Sequence, residues 1–160
     1  MNRDDALRVL REPLAQELLD TQYVARLAYN GVDGYPRAIP IGYYWTGHQF
    51  VVCTASGAPK VAAMQANPKV ALTIDTEGQP PHILLVRGSA TVAIVDGIPW
   101  EFLEASRRYI PPENWQDYEA QTRALYPQMA RIAISPEWAK LLDFETRLPI
   151  AIERLIAQCA

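Results

Sequence analysis

Extended segments of strand-forming residues occupy the middle of the chain, and helical patterns lie on either side of them. A loose first helix is predicted over about Asp4–Arg11. Pro13 begins a fresh helix, because proline costs little at a first helical position and breaks a helix interior. Three strands are then predicted, at Tyr23–Asn30, Arg37–Trp45 and Gln49–Thr54. Their short, turn-forming connections indicate an antiparallel meander in which Pro40 lies at an edge or an irregularity.

The second half of the chain continues as strands that carry a helical insertion. A short helix is predicted over Lys60–Ala66, and a long strand or bent pair over His82–Val95, where Gly88 suggests a bulge or tight bend. The other predicted elements are a strand at Lys69–Thr76, amphipathic helices within Asp96–Gln128, a strand at Met129–Ser135 that Trp138–Phe144 extends, and a final helix at Leu148–Gln158. The pattern therefore predicts one α+β domain over residues 1–160, with six mostly antiparallel strands in a barrel and helices outside it.

Composition and charge narrow the class of protein. Apolar residues make up 49% and charged residues 21% of the chain, as in a soluble globular protein. The net charge of −3 argues against broad attraction to nucleic acid or to an anionic membrane, so any bound anion must be held by a local arrangement. No apolar run is long enough to span a bilayer, and Cys53 and Cys159 form neither a disulfide framework nor a metal site. We expect a cytoplasmic protein without a structural metal.

The chemically informative segment is the turn between the third predicted strand and the short helix. The small residues Ala55 to Pro59 let backbone N–H groups face a concavity, and the following helix directs its positive dipole end there. Thr54 and Ser56 add hydroxyl donors, and Lys60 adds a full positive charge. Arg37, on the preceding strand, could reach the turn as a second cation. Such a turn is also common without a ligand, and the chain has neither a P-loop nor a G-x-G-x-x-G sequence. The turn is a candidate phosphate site.

Four short motifs, taken in order, resemble the pyridoxamine 5′-phosphate oxidase-like superfamily of split-barrel flavin-binding proteins. They are Gly34-x-Pro36-x-Ala38-x-Pro40, Thr54 to Lys60, Asn67-Pro68-Lys69-Val70 and Val86-x-Gly88-x-Ala90. The resemblance extends over about Leu14 to Asp143. It implies a six-stranded antiparallel split β-barrel that forms a homodimer, with a cofactor in a groove between the subunits. That cofactor is FMN or, in one branch of the superfamily, the deazaflavin coenzyme F420.

The resemblance also implies roles for individual residues. Lys60 would contact the cofactor phosphate, and the second predicted strand would line the ring system. The implied cofactor-binding residues are Arg37, Ala38, Ile39, Pro40, Ile41, Thr54, Ala55, Ser56, Ala58, Pro59 and Lys60. No catalytic residue stands out. True pyridoxamine phosphate oxidases carry an Arg-x-x-x-x-Lys pattern on this strand and a basic C-terminal motif, whereas this chain has Gly42 in the lysine position and ends in LIAQCA.

Three functions are compatible with these residues. The first is an oxidoreductase, other than a pyridoxamine phosphate oxidase, that moves a hydride between bound FMN and a small planar or unsaturated substrate. The second is a reductase that uses F420, whose long anionic tail would need further cations such as Lys69, Arg87 and Arg37. The third is a protein that binds flavin or haem without turnover. The helical insertion is a natural place for a substrate lid.

Overall fold

The computed structural model describes residues 1–159, which contain seven strands and six α-helices. The strands are β1 (Val24–Asn30), β2 (Pro36–Gly42), β3 (Tyr44–Trp45), β4 (Phe50–Ala55), β5 (Lys69–Asp75), β6 (Ile83–Asp96) and β7 (Gln128–Leu142). The helices are α1 (Arg3–Leu10), α2 (Pro13–Thr21), α3 (Pro59–Ala66), α4 (Trp100–Arg107), α5 (Trp115–Leu125) and α6 (Ile150–Cys159), with a short 3-10 turn at Pro112–Asn114. The observed elements follow the predicted order, and the main difference is in the second predicted strand.

All seven strands belong to one antiparallel sheet, in the order β2-β1-β5-β6-β7-β4-β3. The predicted α+β class and antiparallel sheet are confirmed, but the predicted number of six strands is wrong. The segment Arg37–Trp45 is interrupted at Tyr43, and its two parts pair with different neighbours: β2 pairs with β1, and β3 pairs with β4. The expected meander is therefore two separate hairpins. Pro40 lies on an edge strand, as predicted.

Tyr43 is the corner at which the sheet turns back on itself. β2 and β3 lie at opposite ends of the strand order, and Tyr43 alone separates them in the chain, so the sheet must curl into a barrel-like form. The Tyr43 side chain is fully buried, and its hydroxyl donates to the Gln22 carbonyl at 2.7 Å, which fixes the bend. Within residues 1–159 no ladder joins β2 to β4, so the sheet is not closed. We call the gap between β2 and β4 the seam.

A bulge bends the two longest strands around the barrel. The register between β6 and β7 shifts between Arg87 and Gly88, as the glycine within the strand predicted. A Cβ atom on Gly88 would lie 2.2 Å from the carbonyl oxygen of Ser135 on β7. The close approach of the two backbones therefore requires glycine at this position.

The interior of the barrel is filled by the inward-facing residues of the strands. The fully buried side chains there include Leu27, Leu72, Leu84, Ile132 and Ile134. Helices α1 and α2 add Leu10 and Leu18 to the same cluster. The sheet and the N-terminal helices therefore share one core. Burial of one such side chain stabilises the fold by roughly 1.5–3 kcal/mol. Among residues 1–159 there is no helix of the length and apolarity that crossing a membrane requires.

Residues 97–127 form a helical insertion between β6 and β7 that is fastened to the barrel by polar contacts. Glu101 of α4 is only 4% exposed, and it accepts hydrogen bonds from Nε and Nη2 of Arg131 on β7 at 2.9 and 2.6 Å. Arg108, at the end of α4, donates to the carbonyl of Leu19 in α2. These contacts tie the insertion both to the sheet and to the N-terminal helices.

The described residues of the C-terminal helix α6 are not buried against the barrel. None of its described residues is buried, and its large apolar side chains are uncovered, with Ile150, Leu155 and Ile156 at 55%, 61% and 55% exposure. A helix of 10 residues is marginal in water without packing. The apolar side chains of α6 therefore lie uncovered in the single chain.

Candidate cofactor site

The Thr54–Lys60 turn joins β4 to α3 and is held firmly at both ends. At its start, Ala55 pairs with Met129 of β7. The Ala58 N–H donates to the Ala55 carbonyl at 3.0 Å, and α3 then begins at Pro59, where proline is favourable. Among residues 1–159 no side chain caps this helix N-terminus, so its first N–H groups have no side-chain acceptor there. A helix start of this kind can accept an anion.

Lys60 places a positive charge over the turn. Its Nζ lies 3.4 Å from Oγ1 of Thr54, and both side chains are half-buried, as is that of Ser56. Within residues 1–159 no carboxylate forms an ion pair with Lys60. The turn therefore offers one cation, two hydroxyl groups and a helix N-terminus. This set of donors fits a phosphate group, for which charge-assisted hydrogen bonds are the strong contacts.

Arg37 is engaged elsewhere. Its Nη2 lies 2.6 Å from Oδ2 of Asp33, and its Nη1 donates to the Tyr35 carbonyl at 3.1 Å. The hydrogen bond from Arg37 is the main reason why the pKa of the Asp33 carboxyl is lowered from its ordinary value. Both partners belong to the β1–β2 turn, so the guanidinium is tied to its own hairpin. A second phosphate contact from Arg37 stays a prediction, and it would require the pair with Asp33 to open.

The two predicted stretches of the site border the seam. At the Tyr43 corner, β2 ends and β3 begins. β3 pairs with β4 through Tyr44 and Val51, so β2 borders the seam on one side and β4 borders it on the other. β2 is an edge strand, so the N–H and C=O groups along its outer edge have no strand partner within residues 1–159. Both β2 and β4, the strand that leads into the Thr54–Lys60 turn, therefore border the seam.

An open groove lies on the outer face of β1 and β2. Its volume is about 800 Å³, within the range of roughly 300–1,000 Å³ that is usual for small-molecule and cofactor sites. Ala38 and Pro40 line it from β2, and Tyr23 and Val24 line it from the end of α2 and the start of β1. Tyr23 and Val24 are 43% and 45% exposed, so the groove offers an uncovered apolar wall. A planar ring can lie against such a wall.

The other predicted residues of β2 face a different way. The side chains of Ile39 and Ile41 pack against the barrel core, although Ile39 also borders the groove. Their contribution to a ligand would come from main-chain groups. The Thr54–Lys60 turn is not part of the groove wall, so within one chain the phosphate turn and the groove are separate surfaces.

Sequence reasoning missed the polar end of the groove. Nη1 of Arg26 lies 2.7 Å from Oδ1 of Asp75 there, and Glu77 is close by in the groove wall. The register of the β1–β2 hairpin could have revealed these residues. Val24 pairs with Gly42, so alternate residues of β1 lie on the same outer face as those of β2. β5 then extends the same face beyond β1, because Thr73 of β5 pairs with Arg26.

The fold and the turn together define a protein of the pyridoxamine 5′-phosphate oxidase-like, split-barrel class. Residues 12–142 match the sequence profile of the family described as pyridoxamine 5′-phosphate oxidase. The match covers more than half of the chain, and the chain belongs to this family. The resemblance seen in the four motifs is thereby confirmed. No curated protein sequence matches the chain.

Several solved structures share the fold. An F420 reductase is 24% identical, with a TM-score of 0.60, and the alignment covers 78% of this chain and 94% of that one. The haem storage protein HutZ of Vibrio cholerae is 16% identical, with a TM-score of 0.62 and coverage of 82% and 93%. General stress protein 26 of Bacillus anthracis is 16% identical, with a TM-score of 0.59 and coverage of 84% and 96%. At these identities the likeness shows the fold alone.

Proposed function

We propose that this protein is a homodimeric FMN-binding oxidoreductase that transfers a hydride between the bound flavin and a small planar or unsaturated substrate. The observation that carries the proposal is the Thr54–Lys60 turn. There Lys60, which has no carboxylate partner within residues 1–159, contacts the Thr54 hydroxyl at a helix start that no side chain of these residues caps. Membership of the family supports the choice of a phosphate-bearing flavin.

Each part of the site has a physical task in this proposal. Lys60, with Thr54 and Ser56, binds the phosphate, and the exposed face of β2 at Ala38 and Pro40 orients the ring. FMN, when bound, supplies the hydride chemistry. The protein supplies binding, orientation and exclusion of water, and no general acid is assigned.

A second copy of the chain would complete the site. The groove beside β2 is open, and its apolar wall at Tyr23 and Val24 is exposed. The uncovered apolar side of α6 gives the same chain another surface that requires a partner. Covering these surfaces would remove water from the ring and strengthen the polar contacts to it. We therefore include the homodimer in the proposal.

One observation favours F420 as the alternative cofactor. A second depression of about 470 Å³ lies on the outer face of the sheet, and both Lys69 and Arg87 border it. Arg87 also stacks over the Trp138 ring, with its Cζ 4.3 Å from the ring centroid. Glu137 also lines this depression and accepts a hydrogen bond from Ser89 at 2.6 Å, so the two cations leave one net positive charge there. That charge suits the long anionic tail of F420, and an F420 reductase is among the structures that share the fold. Binding of haem or flavin without turnover is the third candidate, suggested by the haem storage protein of similar fold.

The visible spectrum of the purified protein separates these candidates. The proposal expects a yellow protein with flavin absorption that is bleached by reduction and restored by an acceptor substrate. A colourless protein that binds added F420 would favour the alternative, and a Soret band would favour haem. A flavin that no substrate oxidises or reduces would point to a carrier.

Substitution of Lys60 tests the placement of the phosphate. Lys60→Ala removes a charge-assisted contact of about 1.5–3 kcal/mol, so the Kd for FMN should rise roughly 10- to 150-fold. Lys69→Ala is the matched control, since it removes the same charge from an exposed residue just beyond the other end of α3. It should leave FMN binding unchanged and weaken F420 binding if the alternative holds. An unchanged Kd for FMN in Lys60→Ala would show that the phosphate lies elsewhere.

A further inference from the structure

We propose that the hydroxyl of Tyr109 donates a hydrogen bond to the ring system of the ligand held in the groove on the outer face of β1 and β2. This inference rests on the proposed function and deepens it, because it gives the helical insertion a specific contact with the ligand. The ligand class is a planar heteroaromatic ring with acceptor atoms on its edge, as in FMN or F420.

The position of Tyr109 is set by the last residue of β2. Gly42 lies two residues beyond Pro40, so both point to the same outer face of the strand. A Cβ atom on Gly42 would lie 4.0 Å from Cε1 of the Tyr109 ring. The Tyr109 ring therefore lies beside Gly42 on the outer face of β2. Ala38 and Pro40, on the same face of this strand, line the groove.

The preceding residue holds the insertion against the same groove. The Cζ of Arg108 lies 4.8 Å from the centroid of the Tyr23 ring, and Tyr23 lines the groove from the other side. Arg108 also donates to the Leu19 carbonyl at the end of α2. The backbone of the insertion is thus fixed at the point from which the Tyr109 side chain projects, and the ring is 50% exposed.

The Tyr109 hydroxyl is free to turn to a ligand. Ser106 is buried, and it is already satisfied: its Oγ donates to the Phe102 carbonyl at 2.8 Å and shares a hydrogen bond with the Tyr118 hydroxyl at 2.9 Å. The contact between Ser106 and the Tyr109 hydroxyl is longer, at 3.3 Å, and hydroxyl–hydroxyl bonds are usually about 2.7–2.8 Å. Breaking it costs little, because no buried group is left without a partner.

The phenol also carries the proton that it would donate. Partial burial raises the pKa of Tyr109 above its ordinary value, and the neighbouring Tyr118 adds to the effect. The hydroxyl is therefore protonated throughout the neutral range. The geometry at Gly42 and Tyr23 places this donor, and the protonation state makes it usable.

Tyr109→Phe tests the inference, with Tyr118→Phe as the matched control from the same cluster. Both variants lose one hydroxyl, but only Tyr109 stands over β2. Fluorescence titration should show the Kd of Tyr109→Phe for FMN or F420 rising about three- to tenfold, the loss of one neutral hydrogen bond. Tyr118→Phe should keep the wild-type Kd and instead lower the urea midpoint.

Riboflavin, which lacks the phosphate, separates the ring contact from the phosphate contact. Tyr109→Phe should weaken riboflavin binding by the same factor as FMN binding, whereas Lys60→Ala should leave riboflavin binding unchanged. If Tyr109→Phe binds flavin as the wild type does, the Tyr109 contact is refuted while the proposed function stands. If the wild type binds neither FMN nor F420, both are refuted together.

Discussion

The ion pair between Glu101 and Arg131 provides a quantitative test of how the insertion is held to the barrel. Arg131→Met would leave the Glu101 carboxylate, only 4% exposed, without a partner. Removing one member of a buried pair typically costs about 3–5 kcal/mol. Because the Arg131 side chain is 31% exposed, water partly screens the pair, and we expect a loss below that range, of about 2–3 kcal/mol. At about 2–4 °C per kcal/mol for a chain of this size, the Tm should fall by about 4–12 °C.

Arg123 provides a control in an exposed ion pair of similar geometry, formed within the single helix α5. Its Nε and Nη2 lie 3.2 and 2.8 Å from Oε1 of Glu119, much as Arg131 meets Glu101. Here both side chains face water, at 53% and 30% exposure. Arg123→Met should therefore cost less than about 0.5 kcal/mol.

Urea unfolding of both variants gives the comparison. Adding Glu101→Gln to Arg131→Met should restore part of the lost stability, because the amide leaves no buried charge. Equal losses in Arg131→Met and Arg123→Met, or no recovery in the double variant, would refute the view that a buried charge pair fastens the insertion.

Two further outcomes follow from backbone contact and burial. Gly88→Ala should lower the free energy of unfolding by more than about 2 kcal/mol or fail to fold, because its Cβ would lie 2.2 Å from the Ser135 carbonyl oxygen. Gly78→Ala, whose Cβ would have no atom within 4 Å beyond its chain neighbours, should match the wild type in urea unfolding. A thiol reagent at pH 8 should label Cys159, which is exposed, and spare Cys53 until the protein unfolds. Partial burial, with a smaller effect of Glu101, raises the pKa of Cys53 to about 12. Rapid labelling of Cys53 in the native protein would contradict this burial.

Features that depend on neighbouring residues were predictable from the sequence. Gly88 within a strand pattern predicted the bulge, Pro13 predicted the start of a helix, and Pro40 indicated an edge strand or an irregularity. The helix predicted from Lys60 begins one residue earlier, at Pro59. The composition of the Thr54–Lys60 turn, with small residues before a helix, is likewise local information. In each case the conformational limits of glycine and proline decide the structure.

Features that depend on distant residues were not predictable in the same way. The break at Tyr43 interrupts a run of strand-forming residues, and the bond that fixes it goes to Gln22, far back in the chain. Arg37 looked like a free cation from its position on the strand, yet Asp33 in the same hairpin neutralises it. The groove beside β2 requires β1, β5 and the end of α2 to come together, and only the sheet order specifies that.

The pairing of β4 with β7 has a consequence for the order in which the protein matures. β4 ends at residue 55, but the partner that aligns its whole length, β7, begins at Gln128. A nascent chain thus completes the lysine-bearing turn long before the strand that anchors it has been synthesised. Because such long-range pairing forms late, the turn should reach its final position only once the C-terminal third has emerged from the ribosome.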